Sequence, residues 1–158
     1  PYTVKLEAAR RVGYQTVSIV MVRDGHYRAH IADWVAALEA SFVRKAAARQ
    51  LENVQLEIRI IGHNATLAEL ENTPGSGCEA GVMAIFTSPS QSRSTEAAKL
   101  LNPDLLHLPL TPHEPMPTFA FPFSPPEMER GALYEFCLHH TLTLDDPMSA
   151  FCLNTMEI

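Results

Sequence analysis

The sequence lacks the features that would tie it to a membrane, a metal or a redox reaction. No apolar run approaches the roughly 18 residues of a membrane-spanning helix, and residues 1–11 contain no apolar signal core. The three cysteines, Cys78, Cys137 and Cys152, fit neither a zinc-binding nor a CxxC spacing, and their odd number leaves at least one unpaired. We therefore expect reduced thiols, no metal, no cofactor, no membrane contact and a cytoplasmic location.

Positive charge is also scarce. The formal net charge is −6, and residues 51–158 carry four Lys and Arg against fourteen Asp and Glu. Because nucleic-acid binding needs a basic surface, we exclude that class of partner. Residues 1–50 have the opposite balance, eight basic against four acidic. This basic third predicts either a solvated helix face or contact with an anionic ligand or an acidic partner.

Nucleotide-binding and hydrolase motifs are missing as well. The sequence contains no P-loop, no GxGxxG and no GxSxG, so neither nucleotide binding nor serine-hydrolase chemistry has a motif behind it. The histidines have no zinc-ligand spacing, which agrees with the expected absence of a metal.

What is present is clear periodicity. Alternating apolar side chains predict strands at 15–22, 53–61, 78–87 and 131–144, and residues 119–123 (FAFPF) could add an edge strand. Helical periodicity predicts helices at 26–50 and 91–101. Asn102-Pro103 is expected to end the second helix, because a residue before proline resists the α region. The apolar stripe of the first helix comprises Ile31, Trp34, Val35, Leu38 and Phe42.

The order of these elements predicts the architecture. Two β-α-β units in one sheet indicate an α+β fold, a ferredoxin-like two-layer sandwich whose antiparallel sheet carries two helices on one face. The other face would be semi-polar, with Gln55, Glu57 and Arg59. We expect one domain over 1–158, with 1–14 as a linker and 15–158 as the sandwich.

Three stretches of the chain are similar to a known family. Residues 4–9 (VKLEAA) with 12–14 (VGY) and Arg23-Asp24 form the first, AFPFSP at 120–125 the second, and LYEF at 133–136, continuing to DDP at 145–147, the third. In order and spacing they resemble the C-terminal part of acyclic terpene utilisation (AtuA-like) proteins. The departures are Ala8 for glycine, Gly25 for proline, Met116-Pro117-Thr118 for a Gly-Asn pair and His139 for asparagine.

The resemblance implies a piece of a longer catabolic protein whose reaction is undetermined. AtuA-like proteins also have a glycine-rich N-terminal α/β region, which these residues do not include. The implied partner is therefore that N-terminal domain or a separate subunit, and we also expect a homo-oligomer.

Six residues are candidates for the site. The matched motifs make Lys5, Glu7 and His140 catalytic candidates, although Lys5 and Glu7 could be a surface ion pair and His140 a core histidine. Arg23 and Asp24, at a strand-to-helix junction, could bind an anionic ligand or form a helix cap and an exposed arginine. Ser124, in AFPFSP, is a further ligand-binding candidate.

Three functions remain open. The domain could complete a site for a small carboxylate or acyl compound with the N-terminal region. It could instead be a structural or oligomerisation domain without chemistry of its own. A third possibility is a regulatory ligand-binding module.

Overall fold

The computed structural model describes residues 1–72, 77–151 and 155. Its strands form one sheet in the order β2-β3-β1-β4, and β3 pairs antiparallel with both β1 and β2. The predicted α+β class with an antiparallel sheet is confirmed, and the arrangement is compatible with two layers. In chain order the elements are β1 (Tyr2–Val22), α1 (Gly25–Ala29), α2 (Ile31–Ala48), β2 (Gln55–Ile61), a 3-10 turn (Ala68–Leu70), β3 (Ala80–Ser88), α3 (Gln91–His107), β4 (Glu127–Leu144) and a second 3-10 turn (Pro147–Ala150).

The chain divides into two compact units. The larger unit is Gly13–Leu133 and holds α1 to α3 with β2 and β3. The second unit joins Pro1–Val12 to Tyr134–Ile158; we call its two strand segments, 2–12 and 134–144, the terminal ribbon. Residues 2–14, for which the sequence predicts a linker, are thus the first part of β1.

Helices α2 and α3 pack on one face of the sheet in the larger unit. The predicted stripe of α2 faces inward, since Ile31, Trp34, Leu38 and Phe42 are buried and Val35 packs partly against them. On the sheet side of this core, β1 and β3 place their side chains next to each other, because Val20 pairs with Val82 and Thr16 with Phe86. The fully buried members of this core include Trp34, Leu38, Val20, Val22, Val82, Phe86, Leu101 and Leu105.

The inward face of β1 is its more polar one. Thr16 is fully buried, and its hydroxyl lies 2.9 Å from that of Ser94 and accepts a hydrogen bond from Gln91 Nε2 at 2.8 Å. A buried hydroxyl with such partners does not carry the cost of lost hydration. These α3 contacts therefore let the face with Thr16 turn toward the helices.

Two helix predictions need correction. The single helix expected at 26–50 is two helices, because the backbone at His30 leaves the α region (φ −116°, ψ 29°). Helix α3 does not end at Asn102 but continues to His107, with Pro103 inside it. Proline removes one donor, and tertiary contacts beyond it offset that loss. Leu105 is fully buried, and the Asp104 carboxylate accepts hydrogen bonds from Ser41 and Lys45, each at 2.7 Å.

The expected edge strand at 119–123 is also wrong. This segment makes one isolated antiparallel bridge, between Ala120 and Met21, because Pro122 has no N–H to continue a ladder. On the sheet face away from the helices, Gln55, Glu57 and Arg59 are exposed as expected. No helix in the described part of the chain is long and apolar enough to span a bilayer.

The close approach of β1 and β3 at Gly13 generates a test of this register. A Cβ built on Gly13 lies 2.8 Å from the Ser88 carbonyl oxygen, whereas one on Gly25 meets nothing within 4 Å. Because a backbone atom cannot easily yield, Gly13→Ala should lower the free energy of unfolding by about 1–3 kcal/mol. Gly25→Ala should change it by less than about 0.5 kcal/mol. Urea unfolding followed by Trp34 fluorescence measures both, and equal effects would contradict the register.

Candidate functional site

A cleft lies in the larger unit where β1 ends and α1 begins. Its volume is about 720 Å³, within the range of roughly 300–1,000 Å³ typical of small-molecule sites. The bond from Met21 N to Ala120 O (2.8 Å) joins its two sides. The lining consists of Met21, Arg23, Asp24, His26 and Tyr27 on one side and of residues 114–120 on the other.

The second side is a proline-rich segment without regular structure. Hydrogen bonds from the helix layer fix its path: Trp34 Nε1 donates to Leu108 O at 2.9 Å, and the Tyr27 hydroxyl accepts from Leu110 N at 3.2 Å. Closer to the cleft, His107 Nδ1 lies 2.9 Å from Pro117 O, and Phe119 N donates to the Leu106 carbonyl at 3.1 Å. The cleft wall is therefore held from both ends.

The floor of the cleft is aromatic. The ring of Tyr27 meets that of Phe119 edge-on at 5.0 Å between centroids and that of Trp34 at 5.9 Å. Tyr27 is buried and Trp34 fully so. Edge-to-face rings at this spacing contribute about 0.5–1.5 kcal/mol per pair beyond their burial. The two aromatic residues that line the cleft, Tyr27 and Phe119, are thus packed on the core at Trp34.

The polar rim contains two residues that the sequence singled out. Asp24 is the N-cap of α1, since its Oδ1 accepts from His26 N at 2.8 Å and from Tyr27 N at 3.1 Å. Arg23 Nη1 lies 3.6 Å from Glu79 Oε1, and the Arg23 side chain is 79% exposed. At this strand-to-helix junction, Asp24 is therefore a helix cap and Arg23 is an exposed, loosely paired cation.

A histidine and a carboxylate that sequence reasoning missed face each other across the cleft. His26 Nε2 lies 3.4 Å from Glu114 Oε1, and the second carboxylate oxygen of Glu114 is buried without a hydrogen-bond partner among the described residues. A histidine beside a carboxylate is an arrangement that general acid–base catalysis uses. The sequence signal that could have pointed to this pair is Glu114, a carboxylate that lies among the prolines of residues 109–117. That segment has the composition of an ordinary connecting loop.

The three catalytic candidates lie in the second unit. On the terminal ribbon, Lys5 and Glu7 form an ion pair, and His139 Nε2 is 3.8 Å from Glu7 Oε1. His140 is exposed and, as the next residue on the strand, points to the opposite face. The histidine brought to Lys5 and Glu7 is therefore His139. Exposed ion pairs of this kind contribute about 0–1 kcal/mol.

Ser124 and the two described cysteines are not among the residues that line the cleft. Ser124 is exposed and does not line the cleft. Cys78 and Cys137 are free and exposed, while Cys152 lies outside the described residues. In the described ranges, no three His, Cys, Asp or Glu side chains come together as ligands for a metal ion.

Comparison of the chain with protein-family models, with curated proteins and with solved structures found no match. The fold and the cleft are therefore interpreted from their own residues.

The contribution of Asp24 to stability as a helix cap can be separated from the contribution of its charge. Asp24→Ala removes the acceptor for two α1 amides and should lower the free energy of unfolding by about 1 kcal/mol. Asp24→Asn keeps a capping oxygen and should lose less than about 0.5 kcal/mol, because asparagine caps as well as aspartate. Urea unfolding compares the two variants. An equal loss in both would mean that Asp24 acts through its charge rather than as a cap.

Proposed function

We propose that the cleft binds a small acyl compound or carboxylate, and that this chain is the C-terminal part of an AtuA-like catabolic protein. The observation that carries the binding proposal is an apolar cleft of about 720 Å³ with Arg23 at its rim. Such a cleft suits a ligand with an apolar chain and one polar head group.

The apolar chain of the ligand would lie on the floor of the cleft. Met21, Tyr27, Met116 and Phe119 supply the apolar surface, and Met116 is 68% exposed before any ligand binds. Covering such a side chain releases water at roughly 25 cal/mol per Å² of apolar area. The flexible thioether side chains of Met21 and Met116 can also adapt to ligand chains of different shape.

The head group of the ligand would meet Arg23. Of the two rim carboxylates, Asp24 caps α1, and Glu114 Oε1 faces His26. Among the described residues of the lining, Arg23 is the only Lys or Arg, and its contact with Glu79 is long and exposed. A guanidinium in this state can exchange that contact for a ligand carboxylate or carbonyl oxygen. The His26–Glu114 pair would then stand ready for proton transfer to or from the bound ligand.

The proposed architecture behind this site is ferredoxin-like. Two observations support it: helices connect β1 to β2 and β3 to β4, and the strand order from the other edge is β4-β1-β3-β2. We further propose a cytoplasmic protein whose N-terminal domain, or a separate subunit, completes the reaction site. This part of the proposal depends on the resemblance of residues 4–9, 120–125 and 133–147.

A structural domain without chemistry is the competing function. It shares the fold but predicts that no small molecule binds the cleft. A ligand screen therefore separates the two.

Thermal denaturation in the presence of medium-chain branched carboxylic acids, their amides and their alcohols tests the proposal. A ligand at one hundred times its Kd should stabilise the native chain by about 2.7 kcal/mol and raise its Tm. Arg23→Ala should weaken binding of the acid at least about tenfold, since it removes a charged hydrogen bond of about 1.5–3 kcal/mol.

Arg44→Ala is the matched control, because Arg44 is exposed and does not line the cleft. Its affinity for the acid should stay within about twofold of the original, as is usual for a surface change away from a site. If no acid, amide or alcohol raises the Tm, the cleft is not a site for acyl compounds. If both arginine variants weaken binding equally, Arg23 is not the group that binds the head.

A further inference from the structure

The terminal ribbon has one polar and one apolar face. On the first face, Glu7 contacts both Lys5 and His139. Arg10 also pairs with Glu135 across the two strands, at 3.1 Å. Side chains alternate along a strand, so the neighbours of Glu7 and His139 point the other way. Those side chains are apolar and exposed: Tyr2 59%, Leu6 39%, Tyr134 62%, Phe136 62%, Leu138 44% and Leu142 42%.

We propose that this apolar face, Tyr2, Leu6, Tyr134, Phe136, Leu138 and Leu142, packs against the same face of a second copy of the chain. The resulting dimer would be symmetric, with a sheet-on-sheet contact between two ribbons. This inference goes beyond the proposed function, since it holds whether or not the cleft binds an acyl compound.

The first argument is stability. A two-stranded hairpin is marginally stable in water unless a hydrophobic face is covered. Between the strands of the described ribbon, Arg10 pairs with Glu135 and Glu7 lies beside His139, and exposed contacts of this kind contribute about 0–1 kcal/mol each. Covering the apolar face supplies the burial that the ribbon lacks by itself.

The second argument is area. Large side chains carry roughly 150–250 Å² each, so six of them at about half exposure present roughly 600 Å². That equals or exceeds the largest apolar patch of a typical monomer, roughly 300–600 Å². Two copies together would bury roughly 1,200 Å², the lower limit of a specific interface.

The third argument is charge, and it selects a second copy as the occupant. Along 2–6 and 134–144 the apolar face carries no Lys, Arg, Asp or Glu, and its one titratable group besides tyrosine is His140. In a symmetric dimer each face meets itself, so any fixed charge would meet its own sign at short range. Over these residues the face avoids that repulsion.

Sedimentation equilibrium of the 158-residue chain tests the proposal. The chain should be a dimer at micromolar concentration. Phe136→Glu should raise the dimer Kd at least about 100-fold, because in a symmetric dimer the substitution removes a buried aromatic ring from both copies. Thr141→Glu is the matched control, since Thr141 is exposed on the opposite face of the same strand; its dimer Kd should stay within about threefold.

Trp34 fluorescence during unfolding verifies that the larger unit of Phe136→Glu remains folded. Hydrogen exchange of the unmodified chain at two concentrations gives a second measurement, independent of any variant: protection of ribbon amides should rise with concentration. A chain that stays monomeric up to roughly 100 μM, where even weak specific dimers form, would overturn the proposal. So would a dimer unaffected by Phe136→Glu, equal effects of both glutamate variants, or ribbon protection that does not depend on concentration.

Discussion

Trp34 is the residue on which the cleft and the core of the larger unit both depend. Its indole is fully buried, and a buried indole N–H needs an acceptor, which here is the Leu108 carbonyl. The same ring packs edge-on against Phe119 at 5.0 Å. Because the proline-rich segment has few backbone donors of its own, these contacts determine its path and hence the shape of the cleft.

The cleft and the ribbon expose apolar surface in different ways. In the cleft, that surface is concave and bordered by polar groups, among them Asp24, which caps α1, and Glu114, one oxygen of which faces His26. On the ribbon, it is a strand face that carries no Lys, Arg, Asp or Glu along 134–144. Concave surface with a polar border suits a small molecule, whereas a wide face without fixed charge suits a protein surface.

The regular elements could be predicted where periodicity was strong. The stretch at 53–61 contains β2, the stretch at 78–87 covers β3 except for Ser88, and the apolar stripe of α2 faces the core as predicted. Predictions failed where a distant contact decided the outcome. Helix α3 passes Pro103 because Asp104 and Leu105 are held by partners more than fifty residues away or by the core. Helix propensity reflects only the local sequence, so it cannot predict the effect of such contacts.

The sequence by itself determined the α+β class and the strand and helix periods, because the patterns that indicate them repeat within a few residues. Only the tertiary structure decided which face of β1 turns inward, since Thr16 needs Ser94 and Gln91 from α3. It alone brought Glu114 to His26, 88 residues apart in the chain, and set His139 rather than His140 beside Glu7. Side chains distant in sequence meet through packing and strand register, which local sequence patterns do not specify.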